Sequence, residues 1–156
     1  MLERERYIDR IGAEAFMVVR SVNILLRDSR GRTLLQFRDA STQTFPLLWG
    51  FWGGAVAPSD ASPAHCAARE LREELGLDAG PADFEKVGVR ESSRGEAWLM
   101  RLPTPVEWGA FRVCEGAGAA FLWRREMLRL PLAKPVADHL RTDPGLFADA
   151  PAPLAP

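Results

Sequence analysis

The sequence predicts an α/β fold, a mixed β-sheet covered by helices on both faces in an α/β/α sandwich. Two observations carry that prediction: β-branched apolar segments pair off across turn residues on either side of mid-chain, and one segment in the middle switches to helical spacing with a clear start and stop. A third observation bounds it: at 156 residues the chain has room for one domain and shows no internal repeat. A domain of this size buries roughly 70% of its unfolded surface, so it needs no disulfide or structural metal to stand.

Residues 1–15, charged with both signs, read as an N-terminal arm, and 16–143 as the domain. From Phe16 to Leu26 the chain is apolar and β-branched, Asp28 to Gly31 is a turn, and Arg32 to Arg38 returns. Together these read as a β-hairpin. Residues 39–48 read as a loop, and Trp49-Gly-Phe-Trp-Gly-Gly54 as one glycine-punctuated extended segment. Ser62 suits a helix N-cap and Pro63 the first helical position. Ala64, Ala67, Ala68, Leu71 and Leu75 then recur at three- and four-residue intervals, and Gly76 supplies a left-handed stop, which predicts a helix over 63–75. Strands are expected at 84–91, 96–102 and 118–124, with short helices at 124–129 and 134–141. The Pro- and Ala-rich tail, 144–156, is expected to fray.

The predicted helix carries the chemistry. Glu70 lies three residues from Glu73 and four from Glu74, so their carboxylates share a surface, while Leu71 and Leu75 anchor the other side in the core. Hard oxygen ligands on a rigid element suit Mg²⁺ or Mn²⁺. Charge pattern alone favours a solvated helix face. The distinguishing feature is the coupling to a glycine-rich entry and a fixed exit.

Gly54, followed by Arg69-Glu-Leu-Arg-Glu-Glu-Leu-Gly-Leu77, resembles the Nudix box: Gly, five residues, Glu, seven residues, then Arg-Glu-U-x-Glu-Glu-x-Gly-U with U aliphatic. The nine-residue tail matches at every defined position. Leu48 to Gly54 resembles the lead-in of MutT-type members, with Trp52 in place of proline, and the resemblance extends over about residues 16–141. The sequence departs from the pattern upstream. Family spacing counted back from Arg69 places the first glutamate on Ala61 and its glycine on Ala55; counted forward from Gly54, the acidic position is Asp60. One extra loop residue, with Asp60 as a shorter substitute, accounts for both. Ala57 stands where many members carry a further glutamate.

The resemblance implies a Nudix-type sandwich and metal-dependent cleavage of a pyrophosphate bond. Glu70 and Glu74 would bind metal, with Glu73 assisting, and Arg69 would orient a glutamate, Glu73 being its i+4 neighbour. Bound cations would neutralise phosphate oxygens and lower the pKa of an attacking water. Glu115, ahead of Gly116, is the candidate general base, or else a plain loop glutamate; Glu126 is an alternative expected on a helix surface. Gly53 and Gly54 would make room beside the phosphates. Arg38 would meet the nucleotide, or stand solvated at a strand end. Phe51, Trp52, Trp98 and Trp123 could stack on a base but are expected mostly in the core. His65 and His139 lack metal-ligand spacing and are expected on helix surfaces, and Cys66 is not expected to be a nucleophile.

Twenty Lys and Arg against 21 Asp and Glu, a net charge of −1, argue against a nucleic-acid polymer as partner but allow a small nucleotide. No apolar run reaches a membrane span, no signal sequence is visible, and two unpaired cysteines suit a reducing compartment, so a cytoplasmic protein is expected. Homodimerisation is left open. The expected substrate is a nucleoside diphosphate linked to another moiety: a nucleoside triphosphate, a nucleotide sugar or similar. Ala133 stands where a reader of oxidised guanine would carry asparagine. The rival readings are a nucleotide-binding sensor without turnover, and a diphosphate isomerase, for which no cysteine–glutamate pair is evident.

Overall fold

The computed structural model describes residues 18–151, so the predicted arm at 1–15 and the first two residues of the expected strand lie outside the described residues. Strand β1 (Val19–Leu25) is interior to a four-stranded sheet of order β4-β1-β6-β5, completed by β4 (Trp52–Ala55), β5 (Glu85–Ser92) and β6 (Gly95–Arg101). Its pairing with β6 is parallel and every other pairing antiparallel, so the sheet is mixed as expected. A second, antiparallel sheet of order β3-β2-β7 contains β2 (Thr33–Phe37), β3 (Trp49–Gly50) and β7 (Gly118–Leu122).

The predicted hairpin over residues 16–38 does not form. Both edges of β1 are taken, by β4 and β6, so β2 has no edge to join and instead pairs with β3 and β7. Only the turn survives, as a bridge between Arg27 and Thr33, with Asp28 accepting from the Arg30 and Arg32 N–H groups. The extended segment at 49–54 likewise divides between the sheets, with Phe51 at the crossing.

Alternation along the strands sends side chains to two cores. Val22, Ile24 and Leu26, with Leu34 and Met100, pack under helix α1 (Pro63–Leu75) through Cys66, Ala67, Leu71 and Leu75. Leu25, Leu35 and Leu99 face the other way, against Met127 of α2 (Arg124–Met127) and Val136 and Leu140 of α3 (Lys134–Thr142). Truncating Leu71 or Leu75, both fully buried, to alanine would cost about 2–5 kcal/mol. Helix α1 has the predicted bounds: the Ser62 hydroxyl accepts from the His65 N–H, and Gly76, at φ 64°, ends it.

Two expectations are corrected on the α3 side. His139 is buried, 1% exposed, because α3 turns it inward beside Phe51. The tail begins later than residue 144: Pro144–Leu146 forms a 3₁₀ turn, and Phe147 is buried against Phe51.

Candidate active site

Helix α1 lies across edge strand β4, and the two glycines of that strand decide how near its carboxylates come. The side of Gly54 where a Cβ would stand is filled by the Glu70 carboxyl, with Oε1 2.6 Å from that position. Gly53, at φ 122°, donates its N–H to Glu74 Oε2 at 2.9 Å. A side chain at 53 would strike the Val22 carbonyl, so glycine is required there for backbone reasons too. Gly53 and Gly54 were expected to make room beside phosphates; what the structure places against them are carboxylates, one glycine accommodating Glu70 and the other holding Glu74.

Arg69 organises the polar side of the helix. Its Nε and Nη2 donate to the two oxygens of Asp60 at 3.0 and 2.9 Å, Nη1 to Glu70 Oε1 at 2.7 Å and Glu73 Oε2 at 3.2 Å, and Nη2 also to the Ala55 carbonyl at 3.1 Å. The sequence suggested Glu73 as its partner; the structure adds Glu70 and a two-pronged clamp from Asp60. The extra loop residue still lets Asp60 reach Arg69, whose guanidinium holds the Asp60 carboxyl well below the usual carboxylate range. The Glu73 side chain is 58% exposed, against 12% for Glu70.

Glu115 arrives from a loop 41 residues beyond Glu74. That loop is tied to the last turn of α1 by the Arg112 N–H on the Leu75 carbonyl and the Cys114 N–H on the Glu74 carbonyl, at 3.1 and 2.8 Å. On its other side, Gln36 Nε2 donates to the Glu115 carbonyl at 3.1 Å. The Glu115 carboxyl thereby comes near enough for its charge to act on Glu74. Burial raises the Glu74 pKa to about 9; the Gly53 N–H opposes that rise, while Glu115 and the charge of Glu70 add to it. Burial also raises Glu70, against the lowering effect of Arg69. Among the described residues no three acidic, His or Cys side chains converge on one ion's position; Glu70 is bonded to Arg69, and Glu73 faces solvent. The donor chemistry nevertheless fits a divalent cation: Glu70 and Glu74 are hard-oxygen groups raised first by burial and further by neighbouring carboxylate charge, a repulsion a cation beside them would relieve.

Beyond β4 a cleft of about 370 Å³ crosses the four-stranded sheet on the α3 side. Gly53 and Gly54 form its near wall, Ser21, Asn23 and Ala97 its floor, and Arg38 and Arg90 stand at its margins. Arg38 follows β2 and is held by the Thr44 carbonyl at 2.8 Å and the hydroxyls of Thr42 and Thr44. Glu126 is not at the site; its carboxyl accepts from the Trp123 N–H and caps α2. Phe51, Trp52 and Trp123 are buried, Trp52 donating its Nε1–H to the Leu34 carbonyl. Asp60 as a clamp, Gln36 as the support of the Glu115 loop, and Asn23 and Arg90 in the cleft were not anticipated. Only Asn23 carries a sequence signal, a polar residue interrupting an apolar strand.

A family model for the NUDIX domain matches residues 17–129. A CTP pyrophosphohydrolase of Escherichia coli is 34% identical over 110 residues, covering 70% of this chain and 78% of that protein. An isopentenyl-diphosphate Delta-isomerase of Nocardia farcinica is 47% identical over 71 residues, 45% of this chain, but the match spans only 38% of the isomerase. Among solved structures, a MutT protein from Methanosarcina mazei superposes with a TM-score of 0.62 at 24% identity, covering 78% of this chain and 88% of that one, a likeness of fold. With the box helix, its glycine entry and this match over most of its length, the chain belongs to the NUDIX family.

Proposed function

We propose that this chain is a pyrophosphohydrolase acting on a nucleoside diphosphate linked to another moiety, with a nucleoside triphosphate as the first substrate to test. The observation that carries the reading is the seating of Glu70 against Gly54 and of Glu74 on the Gly53 N–H, beside the cleft those glycines wall, with the Glu115 loop tied to the end of α1. The relative named as a CTP pyrophosphohydrolase, which the chain matches over most of both lengths, puts CTP at the head of the panel.

Glu70 and Glu74, with Glu73 assisting, would hold Mg²⁺ or Mn²⁺. When bound, such a cation neutralises charge on the phosphate oxygens and acidifies water near it. Arg69 keeps Glu70 aimed through its clamp on Asp60. In the reaction, water attacks one phosphorus of the anhydride in line, its proton passes to the Glu115 carboxylate, and the bridging oxygen departs on the other phosphate. Arg38, at the margin of the cleft, would meet the nucleotide.

The sensor reading loses its motive, because Asp60 still reaches Arg69 across the altered loop. The isomerase reading gains nothing from Cys66, whose thiol is buried and pushed up to about 12 by that burial. The test is a release assay, with and without Mg²⁺ or Mn²⁺, across nucleoside triphosphates, dinucleotides, nucleotide sugars and coenzyme A. Metal-dependent release from at least one nucleotide is expected; binding without release from any would restore the sensor reading.

A further inference from the structure

The cleft ends at a cation that the reaction does not use. Register places Ala55 of β4, Ser21 of β1, Ala97 of β6 and Arg90 of β5 in one row across the sheet. The first three are small, so the row is a shallow slot running away from the acidic helix, and all four residues line the cleft. Three strand spacings separate its ends, about 14 Å between backbones. That span is comparable with the reach from a scissile phosphoanhydride through a sugar to the far edge of its base. Asn23, the next residue of β1 on the same face, also lines the slot, and neither its amide nor the Ser21 hydroxyl has a hydrogen-bond partner among the described residues.

Arg90 is held in a fixed orientation. Its Nε and Nη2 both lie on Asp138 Oδ2, at 2.9 and 2.6 Å, and the side chain is 23% exposed. Asp138 also takes Lys134 and Arg141, so the cluster remains net positive, and Lys134 and then Arg90 hold its carboxyl below the usual range. With the side-on pair of N–H groups committed to Asp138, the end-on pair of the guanidinium has no acceptor among the described residues. A guanidinium fork prefers two adjacent acceptors.

Resting on the pyrophosphohydrolase reading, we propose that Arg90 reads the base and selects nucleobases that offer two neighbouring acceptors. Cytosine does so through O2 and N3, and guanine through O6 and N7. Uracil places its N3–H donor between its two carbonyls, and adenine places its amino donor between N1 and N7, so each would set a donor against the fork. The Asn23 amide, which can both donate and accept, lies within the same slot to take the remaining polar group.

The experiment measures kcat/KM for CTP, GTP, UTP, ATP and a base-free ribose 5-triphosphate, with equilibrium binding of each by calorimetry. The panel is run on the wild type, Arg90→Lys and Arg90→Gln. The wild type should favour CTP, GTP or both over UTP and ATP, and the two arms identify which base fits. Either substitution should collapse that preference by about 10- to 100-fold, leaving the base-free compound little changed. Ratios taken on one sample do not depend on the fraction folded. Lysine keeps the charge and the Asp138 pairing but lacks the fork, so retained preference in Arg90→Lys would overturn the proposal. So would a wild-type preference for ATP or UTP, or an equal fall on all five compounds, which would make Arg90 a phosphate ligand. If the wild type hydrolyses nothing yet binds CTP or GTP through Arg90, the hydrolase reading fails and the base reader stands.

Discussion

Replacing Gly54 by alanine probes the site with a single methyl group. The backbone at Gly54 is not left-handed, so alanine is conformationally permitted there. Its Cβ would stand 2.6 Å from Glu70 Oε1, 2.8 Å from Cδ and 3.0 Å from Oε2. Ordinary contact begins near 3.4 Å, so the carboxyl must retreat by about 0.8 Å. That movement strains the 2.7 Å bond to Arg69 and shifts the group proposed to hold metal. Misplacement on the scale of 1 Å costs on the order of 10²-fold in rate. Stability should change by no more than about 1 kcal/mol, because the obstacle is the end of a flexible side chain and alanine also restricts the unfolded chain. Gly53→Ala is the control with the opposite signature: a left-handed residue whose Cβ meets the Val22 carbonyl should lose more than about 1 kcal/mol. Thermal denaturation and Mg²⁺-dependent nucleotide turnover on both variants separate the effects. Wild-type turnover in a folded Gly54→Ala protein would refute the placement of Glu70 at the reacting centre.

Glu74→Gln should fold with its helix intact and lose on the order of 10²-fold or more in turnover, as stabilisation of transition-state charge disappears; wild-type turnover would favour a merely solvated face. Because the folded Glu74 pKa is raised from 4.5 to about 9, the unfolded chain releases that proton first. Stability of the metal-free protein should therefore be highest below about pH 4.5 as far as this group is concerned, and fall as pH rises towards 9. Denaturation across that range should show a flatter profile in Glu74→Gln, and identical slopes would show that Glu74 does not titrate this way. Glu115→Gln should lower turnover by about 10²–10⁴-fold with metal affinity nearly unchanged, the loss shrinking at high pH; equal losses in both would make it a ligand. Asp60→Ala, which frees one side of Arg69, should cost about 10–100-fold in metal affinity or turnover, and no loss would show that the clamp is idle.

The acidic helix was legible residue by residue because its determinants are local. A Ser62 cap, Pro63, apolar residues at helical spacing and a left-handed Gly76 each act within one or two turns, and the same spacing puts Glu70 and Glu74 on one surface. Strand positions at 85–92, 95–101 and 118–122 were equally near to hand, since alternation and turn residues are short-range signals. Which strands pair was not. Hairpin pairing of residues 16–38 satisfied every local rule, yet β4 and β6 compete for the same two edges of β1, and they come from 27 and more residues away in sequence. His139 and Phe147 were misplaced for a related reason: a lone histidine and a Pro- and Ala-rich tail give no periodicity, and only the packing of α3 over Phe51 draws both inward.

By itself, then, the sequence determined the helix, the order of its carboxylates and the glycine entry that names the family, all functions of spacing along one segment. The tertiary structure alone decided that Asp60 reaches Arg69 across an irregular loop, and that Glu115 is carried to Glu74 by two backbone bonds to the end of α1. It also decided that four residues from four strands line up as a slot ending at Arg90. Such placements depend on strand register and loop closure, in which contacts between residues far apart in the chain set the energy, and no window along the sequence contains both partners.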